Sequence, residues 1–258
     1  MKQITFFLLL LFTTLFESKA QTIVQKNYGS SVNDGFGSMT ASADGGYVVA
    51  GASFGFASSF SDIFLYKTDS IGNLLWDKVF LGRRSDVADR VRSTSDGGFI
   101  ILFETNSFDT TSTKIVNCLI KTDNAGNLVW AKTYDVFSTV NNNYPKDVIE
   151  TNDQGFLIVG GNSAEENFAI KISQSGGLQW AYSFGRGLNY SAFQLNNGDF
   201  LMLGTSRFYP GPNYRTHLIK INSLGNILWS KVYASTQNEI GIKNIFILSG
   251  ISSDLDLC

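Results

Sequence analysis

The sequence predicts an all-β fold, a β-propeller of four-stranded antiparallel blades, and three observations support this prediction. The four tryptophans recur at a regular interval, with successive ones 54, 50 and 49 residues apart. An interval of about 50 residues is that of a propeller blade and exceeds most helical repeats. Glycine is abundant, with 25 residues, and 14% of the chain is aromatic. This composition is typical of many short strands joined by tight turns.

The N-terminus has the pattern of a secretory signal peptide over residues 1–20. Lys2 precedes the mostly apolar run 4–16, and Ser18-Lys19-Ala20 gives a small-x-small cleavage site. That run has 13 residues, whereas a membrane span needs about 20. We therefore expect a secreted or cell-surface protein. No later segment is long and apolar enough to span a membrane, so none is expected in the mature chain.

The charge and cysteine content narrow the classes of partner. Without residues 1–20 the chain has 18 basic and 21 acidic residues, and both signs are scattered along it, which argues against nucleic acid as a ligand.

The cysteine content bears on how the chain folds. The two cysteines, Cys118 and Cys258, are too few for a disulfide scaffold, so folding must depend on burial of apolar surface. We expect a monomer that needs no cofactor.

Two motifs recur in four copies. The first is a turn of the type Asp-Gly-Gly-aromatic, at 44–47, 96–99, 153–156 and 197–200. The second reads K-T-D-x-x-G-N-x-x-W in its fullest form, and its lysine and tryptophan are nine positions apart in every copy. We assign a structural role to its lysines, glycines and tryptophans, which are Lys67, Lys121, Lys171, Lys220, Gly72, Gly126, Gly176, Gly225, Trp76, Trp130, Trp180 and Trp229.

Each repeat predicts four strands. The first precedes the Asp-Gly-Gly turn, the second follows it, the third ends at the motif lysine, and the fourth carries Trp-x-Lys-x-aromatic. Second strands such as 99–103 are apolar at successive positions, which indicates that neighbouring blades cover both faces. Fourth strands such as 76–80 alternate apolar and polar residues, as expected for an outer strand with one wet face.

The predicted organisation is a signal peptide at 1–20 and a propeller domain at 21–258. The repeats are approximately 30–80, 81–134, 135–184 and 185–233, with a partial fifth made of 234–258 plus 22–28. Residues 24–28 resemble a fourth strand, 244–249 a second strand and 253–257 a third strand. Pairing of the two ends would close a ring of about five blades and remove two open sheet edges. The alternative is an open fragment of a larger propeller.

The turn, the hairpin motif and the W-x-K-x-Y strand together resemble the secreted propeller repeats of Bacteroidota-type bacteria. The resemblance covers about residues 22–257. It implies a propeller fold and a secreted or cell-surface role, and it offers no enzymatic residues to transfer.

Polar residues at equivalent positions of the repeats could be mistaken for a metal or phosphate site. Their role in tight turns explains them better. Short polar side chains bond their own backbone in tight turns, and the following glycines supply positive φ. Calcium requires six to eight oxygen ligands, and the column between the third and fourth strands is not consistently charged: Asp69, Asp123, Ser173 and Asn222. The Asp-Gly-Gly turn joins two strands and precedes no helix, so we expect no phosphate site there.

No catalytic set is predicted. His217 is the only histidine and occupies the same repeat position as Phe64, Cys118 and Phe168. We therefore expect His217 to be a structural residue, either packed or exposed at a strand edge, and Cys118 to be a small buried hydrophobic residue. One histidine and no cysteine cluster argue against zinc. The nearest carboxylate pairs for glycoside chemistry are Asp86 with Asp89 and Glu165 with Glu166, and neither has a special context.

Loop length points to one face of the disc. The connections between second and third strands and between successive blades vary in length and emerge on the same face, whereas the other turns are short and alike. Function commonly lies on loops that a rigid scaffold carries. These loops are rich in aromatic residues, which suit sugar stacking or a protein hot spot unless they tuck over the loop bases. Our candidate ligand-binding residues are Arg207, Phe208, Tyr209, Tyr214, Arg215, Phe54, Phe56 and Phe108.

We therefore predict a secreted, non-catalytic binding module for an extracellular protein or glycan. One alternative is a structural surface or adhesin repeat without a discrete ligand. A second is a propeller-type hydrolase or lyase, which would require carboxylates or a metal that converge at the central channel.

Overall fold

The computed structural model describes residues 25–55, 60–107, 114–137, 142–207 and 214–233. Within these ranges no helix is long and apolar enough to cross a membrane. The predicted signal peptide and the segment 234–258 lie outside the described residues. The strands are β1 (Asp34–Ala41), β2 (Tyr47–Ser53), β3 (Asp62–Thr68), β4 (Leu74–Phe80), β5 (Asp86–Ser93), β6 (Phe99–Thr105), β7 (Val116–Thr122), β8 (Leu128–Tyr134), β9 (Asn143–Glu150), β10 (Phe156–Asn162), β11 (Glu166–Ile172), β12 (Leu178–Gln194), β13 (Phe200–Arg207), β14 (Tyr214–Ile221) and β15 (Ile227–Tyr233).

The strands form four antiparallel blades. Blade 1 is β1–β4 and blade 2 is β5–β8. The seven strands from β9 to β15 are one hydrogen-bonded sheet that comprises two blades, because β12 pairs with β11 through its first half and with β13 through its second half. Blade 3 is thus β9–β11 with the first half of β12, and blade 4 is the second half of β12 with β13–β15.

The continuity of β12 corrects one prediction. The predicted boundary between the repeats 135–184 and 185–233 implies a connection between two blades there, but a single strand runs from Leu178 to Gln194. Gly185 has φ 92° and Gly187 has φ 154°, values that side chains disfavour, and glycine at both positions lets one strand pass between two blades.

The core lies between successive blades. In β6, Phe99, Ile101 and Phe103 pack with blade 1, whereas Ile100 and Leu102 pack with blade 3. A third cluster joins blades 3 and 4, and β1, β5, β9 and β12 contact one another in turn as inner strands. The blades therefore stack face to face around an axis. This confirms the predicted all-β propeller fold. It also confirms, for β6 and β10, the expectation that neighbouring blades cover both faces of a second strand.

The motif tryptophans of blades 1, 2 and 3 pack against the next blade. The rings of Trp76 and Phe99 meet edge to face with 6.2 Å between centroids, and Trp130 meets Phe156 in the same way at 6.1 Å. The indole N–H of Trp130 also donates to the carbonyl oxygen of Gln174 in the following blade, at 3.2 Å. The spacing of tryptophans along the sequence thus reflects a contact between blades.

The motif lysines bind the Asp-Gly-Gly turn of their own blade. The ammonium groups of Lys67, Lys121 and Lys171 are buried, and each lies 2.7–2.9 Å from the aspartate of that turn. The fourth pair, Lys220 with Asp199, is 3.2 Å apart. Each pair ties the start of the second strand to the end of the third.

The turn between the third and fourth strands is held by its own first side chain. Asp69 accepts hydrogen bonds from the backbone N–H groups of Ile71 and Asn73, and the bond from Asn73 is the main cause that lowers the pKa of Asp69. Gly72 adopts φ 79°. The same geometry recurs at Asp123 and Asn222. Among the described residues, no group of three or more His, Cys, Asp or Glu is placed to hold a metal ion.

Candidate ligand-binding site

A β-bulge interrupts every inner strand at the same position. The pairing register shifts there in all four blades and leaves four residues of different type outside the ladder: Gly37, Asp89, Lys146 and Tyr190. Bulges commonly redirect side chains beside binding sites. The four residues lie seven positions before the first residue of the Asp-Gly-Gly-type turn. The signal that could have revealed them is the change of residue type at this one repeat position, seven residues before a turn that is alike in all copies.

The bulge residues of blades 2 and 3 form an ionic cluster. The ammonium nitrogen of Lys146 lies 3.2 Å from Oε1 of Glu104 and 3.9 Å from Oδ1 of Asp89. Burial and the neighbouring charge of Glu104 raise the pKa of Asp89 to about 7, against the opposing effect of Lys146 and Arg90. Asp89 therefore carries a proton in a large share of molecules near neutral pH.

A second ion pair next to this cluster is structural. Asp147 is almost fully buried, and its Oδ1 lies 2.7 Å from Nη2 of Arg92 and 3.4 Å from Nε of Arg90. It also accepts from the backbone N–H groups of Val148 and Ala192. One carboxylate thus joins the inner strands of blades 2, 3 and 4.

A cavity of about 280 Å³ opens between blades 3 and 4 at the loop-bearing end of the strands. Its lining combines three tyrosines with an amide, a carboxylate and a hydroxyl: Tyr144, Asn162, Glu165, Gly187, Leu188, Tyr190, Thr205 and Tyr214. Tyr190 is the bulge residue of blade 4. The ammonium nitrogen of Lys146 lies 6.0 Å from the ring centre of Tyr144, so the cavity adjoins the ionic cluster.

One described connection that lines this cavity, between β10 and β11, is short and held by its own hydrogen bonds. Between β10 and β11 the chain makes a tight turn in which Oδ1 of Asn162 accepts from the N–H groups of Ala164 and Glu166. Glu165 adopts φ 63° in that turn, and its carbonyl accepts from the N–H of Gly187 at 2.7 Å. A left-handed conformation at a residue other than glycine costs energy and often accompanies ligand sites.

Of the eight candidate ligand-binding residues, Tyr214 is among those that line the cavity, and 44% of its surface is exposed. Arg207 ends β13 opposite Tyr214, and Arg215 pairs with Ser206. Phe54 is exposed beyond the end of β2 in blade 1. Phe56, Phe108, Phe208 and Tyr209 lie outside the described residues. Sequence reasoning did not identify Tyr144, Tyr190 and Lys146.

The carboxylate pairs have different surroundings. Asp86 accepts a hydrogen bond from the hydroxyl of Ser107 at 3.0 Å, and burial raises its pKa, whereas Asp89 belongs to the ionic cluster. Glu165 lines the cavity, and Glu166 accepts from the side-chain amide of Asn162.

The single histidine and the described cysteine both belong to the packed interior. Nε2 of His217 is 2.6 Å from the hydroxyl of Ser230, and burial lowers the pKa of the imidazole. Cys118 is fully buried, and burial raises its thiol pKa.

A larger but shallower cavity of about 560 Å³ runs along the outer strand β8. Its lining is a continuous stretch, 131–136, together with Gly176 and Leu178 of blade 3. The hydroxyl of Tyr134 donates there to the carbonyl of Gly176 at 2.9 Å. This groove follows from the packing of successive blades, and the cavity between blades 3 and 4 is the better candidate site.

No family model matches the chain, and no curated protein matches its sequence. Among solved structures it is similar to a protein of unknown function from Bacteroides caccae, at 11% identity and a TM-score of 0.46 over 77% of this chain and 81% of the other. It is also similar to a thermostable family-43 glycoside hydrolase, at 12% identity and a TM-score of 0.45 over 83% and 76% of the two chains. A third similar structure is a putative glycoside hydrolase from Bacteroides ovatus, at 12% identity and a TM-score of 0.40 over 77% of this chain and 72% of the other. The likeness to these proteins, two of which come from Bacteroides species, concerns the propeller fold alone.

Proposed function

We propose that this protein is an extracellular, non-catalytic module that binds a glycan in the cavity between blades 3 and 4. One observation carries the proposal: three tyrosines converge on one cavity that also presents the polar side chains of Asn162, Glu165 and Thr205. A sugar ring has apolar C–H faces and a polar rim of hydroxyls. Aromatic faces beside a few placed hydrogen-bonding groups are complementary to both.

The charge of the lining favours a neutral glycan over an anionic one. Among the described residues that line the cavity, Glu165 is the only ionisable group other than tyrosine. The nearby ammonium group of Lys146 is shared between Glu104 and Asp89. An anionic sugar would therefore meet an acidic environment without a free cation among the lining residues.

The walls of the cavity are suited to recognition because most of them belong to regular strands. Tyr144 lies in β9, Tyr190 in β12 and Thr205 in β13. The two sheet halves are fixed by the buried Asp147, which bonds to the N–H of Ala192 across blades 3 and 4. Side chains on rigid elements lose little conformational freedom on binding.

A glycan array followed by calorimetry tests the proposal. We expect Tyr190→Ala and Tyr144→Ala to weaken binding of the selected neutral glycan by about tenfold or more each, a loss of roughly 1.4 kcal/mol. The matched control is Tyr182→Ala, which removes an exposed tyrosine from the outer part of blade 3. Unchanged affinity in both cavity variants, with the same circular dichroism spectrum as the parent, would refute the site.

Hydrolysis of a glycan that extends from the cavity to the neighbouring ionic cluster is a second candidate function, supported by the proximity of Asp89, Glu104 and Lys146 and by the raised pKa of Asp89. Glycoside hydrolysis uses a carboxylic acid beside a carboxylate. Asp89 would donate a proton to the leaving oxygen, and a water molecule would attack the anomeric carbon as Glu104 accepts its proton. Lys146 lies closer to Glu104 than to Asp89 and competes with any role of Glu104 as a base. Release of reducing ends that Asp89→Asn abolishes would support hydrolysis. Intact glycan after prolonged incubation would reject it.

A further inference from the structure

The face of blade 1 that points away from blade 2 lacks a cover among the described residues. Phe36, Met39 and Tyr47 are exposed there by 70%, 57% and 39%. The residues in register with them in blade 2, Ala88, Val91 and Phe99, are at most 4% exposed. The equivalents in blades 3 and 4 are also buried: Pro145, Val148, Phe156, Asn189, Ala192 and Phe200. In every other blade, the preceding blade covers this column.

The rim of the same face already carries a short segment in the position of an outer strand. Lys26 donates to the side-chain amide of Asn73, as Lys78 of blade 1 donates to Asn127 of blade 2. The hydroxyl of Tyr28 donates to the carbonyl of Gly72 at 2.5 Å. Tyr134 of blade 2 makes the same bond to Gly176 of blade 3. Residues 26–28 thus contact blade 1 as the outer strand of one blade contacts the next.

We infer that a fifth sheet covers this face, with residues 25–28 as its outer strand and the segment 234–258 as its remaining strands. The segment has 25 residues after β15, enough for three short strands with tight turns. Its apolar residues include Ile240, Ile242, Phe246, Ile247 and Leu248, which match an apolar face. A second copy of the chain would not explain why residues 26–28 of the same chain already occupy the rim.

The repeat fixes the register of the new strand pair. In blade 1, Tyr66 lies opposite Asp77 and Ile63 opposite Phe80. Residue 28 corresponds to 80, so residue 25 corresponds to 77. The sequence S-D-L-D-L at 253–257 aligns with S-D-I-F-L at 61–65, so Cys258 corresponds to Tyr66. Cys258 therefore lies directly opposite Gln25.

A disulfide tests this register in the full chain. Directly opposed residues of antiparallel strands have Cα atoms about 4.5–5.5 Å apart, within the range of a disulfide. In a Cys118→Ala background, we expect Gln25→Cys to form an intramolecular disulfide with Cys258 on mild oxidation, seen as a loss of two hydrogens by mass and faster migration without reductant. Lys26→Cys is the matched control, because adjacent strand positions point to opposite faces.

A disulfide that joins two chains would overturn the inference in favour of a second copy, and no disulfide in a folded variant would overturn it altogether. A second measurement avoids dependence on the engineered cysteine. If the fifth sheet covers blade 1, Phe36→Asp lowers the urea midpoint of the full chain clearly. Phe54→Asp, at a site that is 57% exposed against 70% for Phe36, leaves the midpoint nearly unchanged. Equal midpoints for the two variants would contradict a covered face. Neither experiment depends on glycan binding.

Discussion

The ammonium group of Lys121 is buried in β7 and lies 2.8 Å from the carboxylate of Asp96, which is half exposed in the turn before β6. The same ammonium donates to the buried carbonyl oxygen of Thr122 at 2.9 Å. A buried lysine is costly unless it is paired and hydrogen-bonded. This pair therefore couples the Asp-Gly-Gly turn to the motif lysine, and it explains why the two motifs recur together.

We predict that Lys121→Met destabilises the protein by about 1–3 kcal/mol, because the carbonyl of Thr122 loses its charged donor while the apolar stem is kept. Lys220→Met is the matched comparison. The ammonium of Lys220 is more exposed and its aspartate is farther away. Lys220→Met should therefore lower the free energy of unfolding by less than Lys121→Met does. Urea unfolding of both variants measures the difference. A larger effect at Lys220 would contradict this account.

The turn aspartates predict loss of stability in acid. Burial opposes ionisation of Asp96, but hydrogen bonds from Lys121 and Thr94 bring its pKa to about 2, below the ordinary 3.8. Lys67 likewise lowers the pKa of Asp44. Since the unfolded chain binds these protons first, stability should fall as pH drops below about 4.

The measurement is the free energy of unfolding in urea from pH 6 to pH 2. We expect a triple variant, Asp44→Asn with Asp96→Asn and Asp153→Asn, to be less stable at pH 6 and to lose less stability on acidification. Parallel curves for the parent and the variant would show that these pairs do not contribute to the acid transition.

The fold was predictable because burial of apolar residues leaves a trace in the sequence. The regular tryptophan interval and the apolar second strands, such as 99–103, indicated packing between blades. In the structure the tryptophans of blades 1, 2 and 3 and second strands such as β6 pack against neighbouring blades. The cavity was less predictable. Tyr190 reaches it through a bulge, and Lys146 stands beside it through another. A bulge is set by pairing between strands, which the sequence of one strand does not reveal. The sequence did not predict the continuous strand β12, because glycines such as Gly185 and Gly187 are typical of loops.

Asp89 predicts a pH dependence of the opposite sign. Its folded pKa of about 7 lies above the ordinary 3.8, so the folded protein binds more protons between these values. Stability should therefore decrease as pH rises from about 4 to 7 and stay level above. Asp89→Asn should remove this decrease. At pH 8 we expect the variant to be more stable by on the order of 2 kcal/mol, allowing for the solvent-exposed part of the side chain.

Urea unfolding of the parent and Asp89→Asn between pH 4 and pH 9 tests this prediction. Glu104→Gln serves as the control, because it removes the charge that helps raise the pKa of Asp89 and should shift the decrease to lower pH. An Asp89→Asn variant that retains the full decrease would show that another group titrates.

Gly185 and Gly187 of β12 should respond differently to substitution by alanine, because their surroundings differ. A Cβ added at Gly185 meets no heavy atom within 4 Å, so only its φ of 92° opposes a side chain. A Cβ added at Gly187 would lie 1.9 Å from the carbonyl oxygen of Thr205. That oxygen belongs to the backbone of β13 and cannot rotate away. Relief would require separation of β12 from β13.

We expect Gly185→Ala to cost about 1–2 kcal/mol, the strain of a positive φ, and Gly187→Ala to cost at least 2 kcal/mol more in urea unfolding. Because Gly187 lines the cavity between blades 3 and 4, a folded Gly187→Ala protein should also bind the glycan more weakly, whereas Gly185→Ala should bind as the parent does. Equal stability of the two variants would mean that β12 and β13 separate easily. The cavity wall would then be too compliant to position a sugar ring.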